Sequence, residues 1–110
     1  FQNSVASYEK NLKYGYFKEA FAFVKSRDEK KAQVMPADID IYRIHSYQTL
    51  SRFLSDNGRE GRLVAEISYY EIDTGALVTI VDDQRWWFAD VANKWFVANF
   101  VPLKGDASQD

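Results

Sequence analysis

Ala76-Leu77-Val78-Thr79-Ile80-Val81-Asp82-Asp83-Gln84-Arg85-Trp86-Trp87-Phe88 is the stretch whose reading decides the fold. Rich in β-branched and aromatic residues, it reads as a strand over 76–88. Its first six positions are apolar on both faces. A strand covered on one face only should alternate. The sheet centre therefore needs cover on both sides. Trp86 and Trp87 sharpen this demand, because neighbouring strand residues point to opposite faces. One indole can join a core under helices, and its neighbour must then lie on the other face.

The same rhythm extends outward. From Ile39 onward the period is two, with a first strand region at 39–50 whose alternation slips near Tyr42 and predicts a bend or bulge. Asp56-Asn57-Gly58-Arg59-Glu60-Gly61 is a polar turn, and a second strand runs over 62–72. Asp73-Thr74-Gly75 fits a three-residue hairpin with Gly75 left-handed. A fourth strand is expected at 94–101, ended by Pro102, after a turn near Asp90 to Asn93.

Before this meander the period is helical. Val5, Tyr8 and Leu12 form one stripe, with Asn3 or Ser4 as N-cap and Gly15 as terminator. Phe17, Ala20, Phe21 and Val24 form a second stripe. Val5, Tyr8, Leu12, Phe17, Phe21 and Val24 are expected to face the sheet. Residues 25–31 read as a charged, solvated helix end, and Pro36 bars continuation. The fold class is α+β: two N-terminal helices packed on a curved four-stranded antiparallel meander. The domain spans 1–104, and 105–110 reads as a flexible tail.

Composition bounds function. The 110 residues suit one domain. With no cysteine there is no disulfide framework, thiolate nucleophile or zinc-thiolate site. A net charge of −2 argues against a nucleic-acid partner, which would demand a basic excess. No apolar run is long enough for a membrane span. The chain starts at Phe1, so a trimmed mature form and an exported or periplasmic location stay open.

The order of parts is similar to the nuclear-transport-factor-2-like (cystatin-like) superfamily. The similarity rests on a helix, the Tyr14-Gly15-Tyr16-Phe17 break and a second helix with Ala20-Phe21. A long meander with Trp86 late in one strand and Trp95 opening the last completes it. It covers about residues 5 to 102. It implies a sheet curved into a cone, a small apolar ligand at the cone mouth, and dimerisation through the outer face. The chain lacks the third helix of larger members, and 28–37 is short and polar. Isomerase and dehydratase members carry an acid or His–Asp pair inside the cone. No such pair is matched here, and no catalytic residue is carried over.

Most chemical candidates have bland explanations. His45 is the only histidine and has no identifiable partner. Asp82 and Asp83 point to opposite faces in a regular strand and cannot share a proton or metal. Asp38 and Asp40 share a face but lack the remaining ligands of a calcium loop. The Gly58–Gly61 loop is followed by a strand and no Lys-Ser/Thr, so it is no phosphate cradle. Arg85-Trp86-Trp87 stands apart, because arginine beside indole can hold a planar or anionic ligand or anchor a partner. Tyr69, Arg85, Trp86, Trp87 and Trp95 are the expected ligand- or partner-binding residues, with no cofactor and no metal.

The leading functional expectation is a non-catalytic binding or protein-interaction domain that forms a homodimer or docks a protein partner through an aromatic sheet face. A small isomerase- or dehydratase-type enzyme using the cone interior is the alternative. A structural accessory domain of an envelope assembly is a third. Leu63, Ala65, Ile67 and Tyr69 are expected to share the outer face with Leu77, Thr79, Val81 and Trp87. The opposite assignment would exchange Trp87 for Trp86.

Overall fold

A computed structural model describes residues 1–27 and 35–103. Two helices pack against one antiparallel four-stranded sheet, so the α+β class is observed. Helix α1 is Gln2–Lys13 and α2 is Phe17–Phe21. Strands β1 (Tyr42–Leu54), β2 (Glu60–Glu71), β3 (Leu77–Ala89) and β4 (Lys94–Val97) lie in sequence order. Of the expected helix end at 25–31, residues 25–27 are not helical, and 28–31, like the tail at 105–110, fall outside the described residues.

Helix α1 buries Val5, Tyr8 and Leu12, the stripe its spacing predicts. The N-cap is Phe1, with no side-chain cap, so neither Asn3 nor Ser4 serves there. Gly15 adopts φ +78, where a Cβ would be strained. Helix α2 is shorter than its stripe suggests. Phe17 and Ala20 are buried, whereas Phe21 is half-buried and its ring meets Phe100 edge-on at 5.4 Å. Phe21→Ala is expected to cost about 1–2 kcal/mol in chemical denaturation, short of the roughly 3–5 of a fully enclosed phenylalanine. A loss at the upper figure would place this ring in the core.

Val24 is extended, not helical. It forms a parallel bridge with Val97. The Val97 amide donates to the Phe23 carbonyl at 2.8 Å, and the Lys25 amide donates to Val97 at 3.0 Å. The chain leaving α2 thereby covers the β4 edge, which would otherwise present unpaired backbone.

The strands depart from expectation in two instructive places. Ile39–Ile41 forms a 3₁₀ turn that buries Ile39, so β1 starts only at Tyr42. The alternation of β1 then breaks twice. Ile44 pairs with Tyr69 and Ser46 with Ser68, leaving His45 extra; Leu50 is extra between Thr49 and Ser51. Bulges of this kind bend a strand and raise its twist. Strand β4 closes at Val97, and the following segment folds back to bury Val101 and Leu103.

Register corrects the face assignment. Tyr70 pairs with Leu77, leaving six residues (71–76) between them, and Leu63 pairs with Gln84. Odd positions of β2 therefore share a face with even positions of β3. Leu63, Ala65, Ile67 and Tyr69 are 0–1% exposed and lie on the inner face with Val78, Ile80, Asp82, Gln84 and Trp86. They do not belong to an outer apolar patch. The outer face carries Leu77, Thr79, Val81, Asp83, Arg85 and Trp87, opposite Tyr70, Ser68, Glu66, Val64, Arg62 and Glu60. Much of it is polar: Ser68 and Thr79 hydroxyls bond at 2.8 Å, and Arg62 binds Asp83. Gly75 takes the expected left-handed φ of +70, but the connection is longer than the expected three-residue hairpin, and this one-residue shift in register is what exchanges the faces.

Candidate functional site

Strand β3 separates its two tryptophans. Trp86 is 2% exposed, and its ring meets Tyr8 edge-on at 5.5 Å, Phe23 at 6.2 Å and Phe1 at 6.3 Å. Trp87, one residue on, lies half-buried on the opposite face. Its indole N–H donates to the Lys25 carbonyl at 2.8 Å, and its ring lies tilted against Phe96 at 5.5 Å. The Arg27 guanidinium sits 5.4 Å from the indole centroid.

A groove of about 720 Å³ opens beside Trp87. Ser51, Phe53 and Ser55 come from β1 and the turn after it. Glu60, Gly61 and Arg62 come from the start of β2, and Arg85 and Trp87 from the end of β3. Arg27 and Arg52 complete its basic lining. The hairpin turn brings these strand ends together, because Glu60 pairs with Trp87 and Arg62 with Arg85. Phe53 is 63% exposed, a large apolar ring left uncovered in the monomer.

The charges in this region are layered. Arg62 clasps Asp83 through Nε and Nη2, both at 2.8 Å. The Arg62 fork holds the Asp83 carboxyl below the usual carboxylate range, and Asp83 in turn raises Arg62. Arg27 donates to Glu60 at 2.8 Å. Arg85 reaches the already occupied Asp83 only at 3.9 Å. These pairs are exposed and add little to stability individually.

The five expected site residues are divided by the structure. Arg85 and Trp87 meet in the groove. Trp86 touches its lining but belongs to the core. Tyr69 is 1% exposed, with its ring edge-on to Tyr42 on the inner face. Trp95 is 9% exposed and packs on Phe1 and Phe88. Tyr69 and Trp95 are thus core residues away from the groove.

No family model, curated protein or solved structure matches this chain.

A second polar constellation lies inside, beneath α1. The Trp86 indole donates to Gln84 Oε1 at 3.0 Å. Gln84 Nε2 donates to the Tyr47 hydroxyl at 2.8 Å and to Asp82 Oδ2 at 3.2 Å. Asp82 is 7% exposed. Burial pushes its carboxyl up to about 6, against the lowering effect of the Gln84 bond and with a smaller push from Asp83. Burial likewise raises the Tyr8 and Tyr47 hydroxyls. The sequence signal for this network was the i, i+2 spacing of Asp82, Gln84 and Trp86 on the face that also carries Ile80.

The opposite pointing of Asp82 and Asp83 is as the strand period requires. His45 is an exposed bulge residue. Asp38, which precedes the 3₁₀ turn, and Asp40, within it, are both exposed. Among the described residues no cluster of three or more His, Cys, Asp or Glu side chains could hold a metal ion. Nor is any described helix long and apolar enough to cross a membrane.

Proposed function

We propose that this chain is a non-catalytic binding domain that docks a protein partner through its outer sheet face, at the end where Trp87 stands. The observation that carries this reading is the Trp87 groove. It sets a fixed indole and an exposed Phe53 among arginines, on the face the helices leave open. Partly buried aromatics and arginine ringed by polar side chains are the residues that dominate interface energies. The inner face has a different use, since it is filled by helix and sheet side chains. The helix–break–helix–meander order is also in keeping with the cone-forming superfamily, whose members include binders.

The enzyme reading has one observation in its favour, the buried Asp82 with its raised carboxyl. It needs a pocket over that carboxyl. The Trp87 groove is not lined by Asp82. The groove reading therefore leads.

Nuclear magnetic resonance mapping on nitrogen-15-labelled protein tests the choice, using a panel of aromatic and short peptide fragments. Shifts should concentrate on the amides of Ser51, Phe53, Arg85 and Trp87, and Trp87→Ala should weaken binding by about 2 kcal/mol or more. Shifts confined to Tyr47, Asp82 and Gln84 would move the site to the interior. Sedimentation equilibrium at micromolar protein identifies a second copy as the partner if a dimer forms and Trp87→Ala disperses it.

A further inference from the structure

The groove's charge is at odds with that of the chain. The whole sequence carries −2, yet the groove lining holds four arginines and one carboxylate, Glu60. Two guanidinium groups are matched: Arg27 by Glu60, and Arg62 by the adjoining Asp83. Arg85 lies 3.9 Å from a carboxylate already clasped by Arg62, and its side chain is 67% exposed. Arg52 pairs with Leu63 and so points to the inner-face side of β1, away from Arg85 and Phe53. On the outer face Arg85 is thus the under-matched cation, beside the uncovered Phe53 ring and the half-buried Trp87.

From this juxtaposition, and resting on the groove as the docking site, we infer that the partner presents an acidic peptide segment bearing an aromatic side chain. A carboxylate of that segment pairs with Arg85, and its ring packs on Phe53 and Trp87. Arginine suits this task, because its planar fork meets a carboxylate through two parallel bonds, as Arg62 already does with Asp83. A nucleic acid fits less well. It would need a basic field reaching over several phosphates, and a chain of net charge −2 with a confined basic groove does not supply one. The groove's volume lies within the range that encloses a few side chains or a small ligand.

The test titrates the intact chain with three short synthetic peptides. They alternate Phe with Glu, with Gln and with Lys, and binding is followed by calorimetry and amide shifts. The Glu peptide should bind tightest, with shifts at Phe53, Arg85 and Trp87, and its affinity should fall as salt rises. Arg85→Glu should weaken it by about tenfold or more. Arg85→Lys should fall between, and Arg43→Glu, at the far end of β1, should leave it unchanged. Groove binding by the Gln or Lys peptide as strong as by the Glu peptide would overturn the acidic specificity while leaving the groove as a docking site. Binding of the Glu peptide that is indifferent to Arg85→Glu would also overturn it. A short oligothymidylate that outcompetes the Glu peptide would make the ligand a nucleic acid. Shifts that avoid the groove with every probe would remove the docking site itself.

Discussion

Trp86→Ala is expected to cost about 3–5 kcal/mol of folding stability, the largest loss from any single truncation considered. The indole is 2% exposed and packs edge-on against Tyr8, Phe23 and Phe1, so its removal leaves a cavity that helix and sheet share. Its N–H also holds Gln84 Oε1, and that buried acceptor would lose its partner. The combined effect is a large share of the roughly 5–15 kcal/mol that keeps a domain folded. Trp86→Phe keeps most of the volume but loses the donor, and should cost clearly less. Urea midpoints with unchanged slopes would measure both. A loss under about 1 kcal/mol for the alanine variant would contradict the placement of Trp86 inside.

Asp82→Asn is expected to stabilise the protein at neutral pH by about 2–3 kcal/mol. The sign follows from proton linkage. An unfolded aspartate titrates near 4, whereas burial holds Asp82 at about 6 in the folded chain. Between these values the folded state retains a proton that the unfolded state has released. Stability through this group is therefore full below about pH 4, falls as pH rises to about 6, and stays reduced above that. Asparagine carries no such charge and can still face Gln84. Variant and wild type should match near pH 4 and diverge by pH 7. A constant difference across that range would mean that Asp82 is not desolvated, and a destabilised variant at pH 7 would mean that its charge is compensated in the fold. That a carboxylate sits where an amide would be more stable fits the general tolerance of proteins for stability below the optimum.

The meander and helices were legible because their periods differ. Val5, Tyr8 and Leu12 recur at helical spacing, and Gly75 marks its turn by the left-handed backbone that glycine alone takes freely. The orientation of the sheet was not legible, for a physical reason. Strand β3 is apolar at both parities, with Val78 and Ile80 inside and Leu77 and Val81 outside, so the pattern itself cannot say which face is covered. The decision rests on the connection from Tyr70 to Leu77, and one residue more would exchange Trp86 for Trp87. A bulge in the first strand was legible from the slip in alternation near Tyr42, but the structure places it at His45, with a second at Leu50 that the pattern did not mark.

Of the site, Arg85 and Trp87 could be found as neighbours in one strand. Arg27, Arg52, Phe53 and Arg62 could not, because they reach the groove from separate segments. Long-range pairing, of Glu60 with Trp87 and of the Lys25 carbonyl with the Trp87 indole, assembles the groove. The Asp82–Gln84–Tyr47 network was missed because no rule of composition distinguishes a buried strand carboxylate from a solvated one.

Strand β3 commits Trp86 to the core and leaves Trp87 half-buried on the other face, where the proposed reading uses it for binding. The most direct measurement is one variant, Trp87→Ala, followed in parallel by urea unfolding and by titration with the fragments that shift the groove amides. The expected result is a folded protein that keeps most of its stability, against the loss expected for Trp86→Ala, and a fall in affinity of about tenfold or more. Undiminished binding in the folded variant, or a loss of stability matching that of Trp86→Ala, would contradict that assignment.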